Sequence, residues 1–502
     1  PLDGIRIVDS TYIFAMPYAA GMMTDMGAEV IKVEGIQHPD RGAQGGGPDN
    51  EPGDDPWNRG ATFNQLNRGK RSLTLDLSRD EGRDALKELI SISDIIIENY
   101  TPRVMRGWGM GYENLKKIKP DIIMLSNTGY GHGEGPYTNY PGQATTMEAS
   151  QGLSATTGYR DGLPDKAGQS YIDFVACWTG LFAIASALRY RNRTGRGQWI
   201  DLGMYQLGAY FVSEHVMDFM SNNRIVGRMG NRHPVYAPQG CYPCKGDDRW
   251  CVLSVRDDEE WVALCRVMGK PKLADDSRFV DAISRLRNHD ELDGLISDWS
   301  RDIDRFEMMH TLQDAGIASG AVFDAKDPNM SDHYWERGFE EKVTWPPKRE
   351  MGTRVLMGRP WKLSKAPLRI TEGVHTLGQD NRYVLQELLG RDDSQMQEME
   401  AWAPTIARAL ELNASEGRCN RRQPGEHGQQ GRDAYPRGTI RTTRSCWGYS
   451  WAGHALLSLT GARDGSKDQV PGRNGRPALR CVVVTAFGRE LLWFIGAVLY
   501  VH

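Results

Sequence analysis

Asp173 stands in the run Gln169-Ser-Tyr-Ile-Asp173-Phe-Val-Ala, immediately ahead of a long apolar segment from Phe174 to about Arg189. An aspartate there is a natural helix N-cap, accepting backbone N–H bonds. The same position, beside the positive end of a helix, also keeps a carboxylate ionised and so suits a nucleophile or a base. Pattern alone leaves both readings open. Two basic segments accompany it. Leu66-Asn67-Arg68-Gly69-Lys70-Arg71 comes just before a strand-like run, and Glu98-Asn99-Tyr100-Thr101-Pro102-Arg103-Val-Met-Arg106 just after one. Both fall at expected sheet ends, where open α/β sheets bind ligands. They read either as solvated charged surface or as a grip for a phosphate-bearing ligand with a stackable base.

Other chemistry-bearing types give less. Cys241-Tyr-Pro-Cys244 has C-x-x-C spacing, but Cys251 and Cys265 follow too irregularly for a zinc ribbon, so ordinary partly buried cysteines are expected. His233, in Gly230-Asn-Arg-His-Pro234, reads as a local hydrogen-bonding histidine or a substrate contact. The cluster Gly129-Tyr-Gly131-His-Gly133-Glu-Gly135 is a flexible loop or a mobile lid. The sequence contains no H-E-x-x-H, no G-x-S-x-G and no P-loop.

The elements that must position these residues are legible as apolar runs alternating with helices. Ile5–Val8, Glu29–Val33, Ser72–Leu77, Ile95–Ile97, Asp121–Ser126 and Trp199–Leu202 read as strands, with helices over Tyr18–Met26 and Asp80–Ile90 between the first of them. Such runs predict a parallel sheet covered on both faces, an α/β doubly wound, Rossmann-like large domain. The first strand-to-helix turn, Ser10-Thr-Tyr-Ile-Phe-Ala-Met-Pro17, has no glycine and so lacks the dinucleotide fingerprint. NAD dependence is not expected. Residues 224–323 predict a smaller α+β domain, and Val355–Leu388 returns to strands and a helix.

Composition bounds the rest. The 502 residues carry 61 basic and 65 acidic side chains, a formal charge of −4, against a globally basic nucleic-acid binder. No uninterrupted apolar run reaches the ~20 residues of a membrane span, and Pro1–Asp9 reads as the approach to a strand rather than a leader. Eight cysteines, irregularly spaced, suit a reducing cytoplasm. The average hides a seam: residues 411–502 carry 12 Arg, 1 Lys and 7 acids, a net of +6, leaving −10 for the first 410. The expected organisation is therefore 1–220 (large domain), 221–330 (small domain), 331–410 (a return segment) and a disordered or unrelated tail, 411–502, dispensable for folding and catalysis.

Residues 1 to about 400 resemble the family III CoA-transferases. The likeness rests on linked motifs in order: Pro1-Leu-Asp-Gly-Ile-Arg-Ile-Val-Asp9, Gly27-Ala-Glu-Val-Ile-Lys-Val-Glu34, Leu66-Asn-Arg-Gly-Lys-Arg-Ser-Leu-Thr-Leu-Asp76, Asp94-Ile-Ile-Ile-Glu-Asn-Tyr100, Thr194-Gly-Arg-Gly-Gln198 and Val384-Leu-Gln-Glu-Leu-Leu-Gly390. The resemblance implies a catalytic Asp173 that carries CoA as an aspartyl thioester, and a two-domain chain in an interlocked dimer. It implies CoA contacts at Ala15, Arg41, Leu66, Asn67, Arg68, Gly69, Asn99 and Tyr100, to which charge adds Lys70 and Arg106. No tightly bound cofactor is implied. Coenzyme A and acyl-CoA are substrates beside a small carboxylic acid, with a second copy or a related subunit as partner and no nucleic acid or membrane. Three departures stand out. Phe14 replaces a positioning glutamine, Ala144 replaces a glutamate, and Gly107, next to Arg106, replaces a basic residue. An apolar or aromatic acid is therefore expected rather than formate or oxalate, with Glu148 as a candidate helper. Two alternatives accompany this reading. An α-methylacyl-CoA racemase would need a histidine where Gln143 stands, and a non-catalytic partner subunit would lack the nucleophile.

Overall fold

The β-branched runs form a six-stranded parallel sheet in the order β3-β2-β1-β4-β5-β6. The strands are β1 (Arg6–Ser10), β2 (Glu29–Glu34), β3 (Arg71–Thr74), β4 (Ile95–Glu98), β5 (Ile123–Thr128) and β6 (Gln198–Gly203). The helices up to the last strand are α1 (Ala15–Asp25), α2 (Ala61–Leu66), α3 (Asp80–Ser91), α4 (Pro102–Gly107), α5 (Tyr112–Ile118), α6 (Ala144–Ser150), α7 (Leu153–Thr156) and α8 (Tyr171–Thr194). This computed structural model describes residues 1–35, 40, 46–51, 53, 55–168 and 170–402. All of them lie in one compact unit spanning Pro1–Asn420. Arg41 and the tail from 411 lie outside the described residues.

The inner strands β1, β2, β4 and β5 are mostly apolar at successive positions because both their faces are covered. In β4, Ile95 and Ile97 join α1 and α8 in one core, while Ile96 faces a second core with Leu86, Leu89 and Ile90 of α3 and with Val384 and Leu385. By length and composition α8 could cross a membrane, which the sequence reading did not anticipate. Here its Ile172, Ala176, Cys177, Ile184 and Ala187 are buried in the first core, as in a core helix of a globular protein. Gly21 lets α1 approach α2: a Cβ there would strike the Leu66 carbonyl.

Residues 375–381 seal the outer edge of β3, which would otherwise present unpaired backbone. Asp380 N–H donates to the Ser72 carbonyl at 3.0 Å. The Asp380 carboxylate accepts from Ser72 N–H at 2.8 Å, and Asn381 accepts from Thr74 N–H at 2.9 Å. Residues 239–321 contain an antiparallel sheet, β7 (Gln239–Pro243), β8 (Trp250–Ser254) and β9 (Ala318–Ala321), and a hydrophobic cluster around Trp261, Phe279, Leu292 and Leu312. A hairpin, β10 (Glu340–Thr344) and β11 (Thr353–Met357), follows. The Gln65 side-chain amide clasps the Met357 backbone, donating at 2.8 Å and accepting at 3.1 Å.

A buried polar network sits between β1 and the chain that enters β3. Lys70 Nζ donates to Asp9 Oδ2 at 2.6 Å, the Pro17 carbonyl at 2.7 Å and Asn67 Oδ1 at 2.8 Å. Neither charged side chain is exposed. Burial pushes the Lys70 ammonium down to about 8, against the opposing pull of Asp9. Lys32 Nζ donates to the Thr11 carbonyl at 2.9 Å and pairs with Asp40 at 3.3 Å. Burial opposes its charge, but Asp40, Asp9 and Glu34 outweigh burial and hold it above its ordinary range.

Lys70→Met strands a buried carboxylate and should cost about 3–5 kcal/mol in urea unfolding, whereas adding Asp9→Asn to it should recover much of the loss. A single-mutant cost under about 1 kcal/mol would contradict the buried pair. His375, bonded to Asp380 at 2.7 Å and near Glu372, is raised by those two carboxylates from 6.5 to about 9. Its contribution is complete below pH 6.5 and lost as pH rises through about 9. Thermal melts at pH 6 and pH 10 should therefore diverge more for the native chain than for His375→Gln; equal divergence would refute the assignment.

Candidate active site

Asp173 is the third residue of α8, not its cap; Ser170 is the N-cap residue. Sequence pattern misplaced the cap because Ser170 and Asp173, three positions apart, are both cap-forming types. The job expected of Asp173 falls partly to Glu148 of α6, whose Oε1 accepts the Ile172 N–H at 3.3 Å. Glu148 is fully buried, and its other oxygen has no partner among the described residues. Helix α6 is set in place by a capping box between Gln143 and Thr146.

The half-buried Asp173 carboxyl is pushed up to about 6. Burial is the main cause and the Glu148 charge the second, opposed by a hydrogen bond from Ser170. The helix end was expected to favour ionisation; burial and the like charge override it. At neutral pH the group is still ionised, but with less solvation than a surface carboxylate. The next residue, Phe174, belongs to an aromatic cluster. Phe174 packs edge-on against Phe14 at 6.2 Å and Tyr18 at 5.9 Å, and Tyr18 meets Trp178 at 6.4 Å. Phe14, Tyr18, Phe174 and Leu66 line a cavity of about 920 Å³ that extends to β11.

A second group lies where β1 and β4 diverge, the topological switch point of a doubly wound sheet. Asn99 brackets the β1–α1 turn, accepting from Tyr12 N–H at 3.0 Å and donating to its carbonyl at 2.8 Å. Tyr100 shares a hydrogen bond with Ser10 at 3.1 Å and packs edge-on against Tyr12 and Trp108. Ala15 opens α1 at the same rim. Within this turn Ile13 has φ +66°, a left-handed backbone that is strained for a β-branched residue. Its N–H is held by the Asp40 carboxylate at 3.1 Å. Glu98 accepts the Tyr100 N–H at 2.9 Å, and burial raises its carboxyl to about 7 against the hydrogen bonds from Ser126 and Tyr100.

The two basic segments do not share one end of the sheet. Asn99, Tyr100 and Arg106 follow β4, whereas Leu66–Lys70 precedes β3 and packs on the later part of α1. Arg68 is fully buried and bidentate to Asp25, and Lys70 is sealed in the Asp9 network. Both side chains are spent on buried carboxylates: net charge in the sequence does not reveal which cations have buried partners. Asn67 is likewise spent on Lys70 and the Phe63 carbonyl. Gly69, at φ +70°, packs on Thr24, where a Cβ would collide. Arg106 is exposed, with Asn139 at 3.3 Å.

The remaining motifs resolve as local structure. His233 Nδ1 accepts the Val235 and Tyr236 N–H groups, both at 3.1 Å. Cys244, Cys251 and Cys265 are buried in the cluster around Trp261, their thiols pushed up by burial to about 11, 12 and 12. The glycine cluster is pinned: Asp201 accepts the His132 N–H at 2.8 Å, and Gly129 accepts from Tyr205 N–H at 2.8 Å. Lys32, Asp40 and the Ile13 conformation were missed. Lysine inside the apolar run Glu-Val-Ile-Lys-Val-Glu was the available signal.

The profile of CoA-transferase family III matches residues 2–381. The chain is 31% identical over 410 residues to succinyl-CoA–D-citramalate CoA-transferase of Chloroflexus aurantiacus, covering 80% of this chain and 97% of that one. It is 30% identical to succinate–glutarate CoA-transferase of Agrobacterium fabrum, over 77% and 96% of the two chains. Among solved structures, a CAIB/BAIF family protein from Brucella suis superposes with a TM-score of 0.69 at 29% identity, covering 77% of this chain and 99% of that one.

Glu148→Gln keeps the acceptor for Ile172 but removes the like charge. The Asp173 carboxyl should then titrate below about 6, nearer the ordinary aspartate range. The pH dependence of carbodiimide labelling at Asp173, read by peptide mass spectrometry, checks this. An unmoved midpoint would show that burial acts alone.

Proposed function

The chain belongs to CoA-transferase family III and is a CoA-transferase, and from that premise we propose that it moves CoA from an acyl-CoA to a free carboxylic acid through a covalent thioester on Asp173. The observation that carries this reading is the placement of Asp173: an ionisable carboxylate, half-desolvated, in the first turn of the core helix, one residue before Phe174, whose ring packs on Phe14.

Asp173 attacks the thioester carbonyl and expels CoA as a thiolate, leaving an acyl-aspartyl anhydride. The thiolate attacks the aspartyl carbonyl, which releases the first acid as its carboxylate and leaves an aspartyl-CoA thioester. The incoming carboxylate attacks that thioester, again expelling the thiolate, which then takes the new acyl group and regenerates Asp173. No ATP is consumed, because the anhydride conserves the activation of the thioester. Partial desolvation favours a carboxylate as nucleophile, and the Phe14–Phe174–Tyr18 rings keep water from an anhydride that would otherwise hydrolyse. In this reading Ala15, Asn99 and Tyr100 form the rim that receives CoA, with Arg106 at its solvent side and Leu66 facing the acyl cavity.

An apolar or aromatic acceptor fits the rings at the cavity. A cytoplasmic enzyme, and a dimer of like or related chains, complete the proposal. Exposed Phe182, Tyr210, Met217 and Met220 would be covered in such an assembly, and a relative in Chloroflexus aurantiacus is a beta subunit of succinyl-CoA–L-malate CoA-transferase. Gln143, spent as the cap of α6, offers no acid–base group for the racemase alternative.

Incubation with a panel of acyl-CoAs should leave a CoA adduct on Asp173, detected by peptide mass spectrometry. Asp173→Ala should lose that adduct together with the exchange of label between free acid and acyl-CoA, a fall of at least about 10³-fold, as for other residues that act covalently. Full exchange by Asp173→Ala would end the proposal. Loss of α-proton stereochemistry without exchange would instead indicate racemisation.

A further inference from the structure

Glu98 ends β4 at the switch point of the sheet and has no part in the transfer steps. It is 1% exposed. Its Oε2 accepts the Tyr100 N–H at 2.9 Å, whereas Oε1 is buried with no donor among the described residues. In register it stands between Ser10 of β1 and Ser126 of β5, with Asp201 of β6 next in the row. Asp201 and His132, hydrogen-bonded to each other at 3.0 Å, act on its charge in opposite senses. Resting on the transfer reading above, we propose that Glu98 is a positioning residue for CoA: through the Tyr100 N–H it holds the Asn99–Tyr100 rim in the shape that receives the coenzyme.

The core gains little from this carboxyl. Ile96, two positions earlier on the same face of β4, packs among apolar side chains. A carboxyl buried beyond it without a full set of partners is costly, and burial raises this one to about 7. What the carboxyl does hold lies at the ligand end of the sheet. Tyr100, fixed at its N–H, shares a hydrogen bond with Ser10 at 3.1 Å and packs on Tyr12 and Trp108. Asn99, enclosed between Glu98 and Tyr100, brackets Tyr12 at both its N–H and its carbonyl. One acceptor thus sets the backbone from which both rim side chains depart. Through Asn99 it also reaches the turn that leads to Ala15. A polar group that the core does not need, tied to a ligand rim, is the arrangement a positioning role requires.

The test is calorimetric titration of the full chain with CoA, read as affinity and as number of sites, beside thermal melts. Glu98→Met keeps the length of the side chain and removes the carboxyl acceptor. It should melt at or above the native temperature and keep the native number of sites. Its Kd for CoA should rise roughly 5- to 10-fold, about the effect of one hydrogen bond. Glu98→Gln, whose amide carbonyl still accepts the Tyr100 N–H, should stay within about 3-fold of native. In label exchange between free acid and acyl-CoA, the loss in Glu98→Met should fall on KM rather than kcat. Native affinity in Glu98→Met, a lower melting temperature or outright unfolding, fewer sites, or equal weakening by Glu98→Gln would each overturn the proposal. Exchange by the native chain separates the two readings. Exchange with an unaltered Kd in Glu98→Met overturns only this one; CoA binding that depends on Glu98 without any exchange overturns the transfer reading alone.

Discussion

A carboxylate buried at the end of the central strand is the constraint that organises this site. Asp9 closes β1 among apolar neighbours, and an unpaired charge there would cost several kcal/mol. Its partner, Lys70, comes from the chain entering β3, and the same ammonium also holds the Pro17 carbonyl and Asn67. The pair therefore ties three stretches together: the end of β1, the start of α1 and the turn after α2. Lys32 and Asp40 add a second tie to the same turn. With its surroundings so fixed, the turn can carry Ile13 in a left-handed conformation costing on the order of 1–3 kcal/mol. That strained turn delivers Phe14 to the reacting side and Ala15 to the switch-point rim.

The electrostatics of Asp173 follow from competition among modest terms. A helix start favours a carboxylate by about 0.3–1 kcal/mol near the surface. Burial and the facing Glu148 act in the opposite sense and prevail, since the group rises rather than falls. Glu148 is therefore not a bystander. It satisfies the α8 backbone at Ile172 and, from the same position, keeps the neighbouring carboxylate less stabilised as an anion. One side chain acts on both the helix backbone and the neighbouring carboxylate.

The sheet was legible because its strands obey a local rule. A strand covered on both faces must be apolar at successive positions, and Ile95-Ile96-Ile97 could scarcely be anything else. Asp173 was legible for its place ahead of an apolar run, though its role needed the family likeness. What escaped depends on distance in sequence. Lys70 and Arg68 looked like surface cations because Asp9 and Asp25 lie 61 and 43 positions away. The glycine cluster looked mobile because its anchor, Asp201, lies 69 positions on. Composition records how many charges a segment has; only the fold decides which are consumed internally.

Phe14 limits what the first turn can do. A phenyl ring cannot donate a hydrogen bond to a reacting carboxylate, so the first turn excludes water and shapes apolar space but cannot orient an acid by polar contact. Selection among acids must then come from groups elsewhere on the same wall. The polar side chains of α2 offer little: Gln65 is spent holding β11, and the Asn64 amide nitrogen bonds the Asn58 and Gly60 carbonyls.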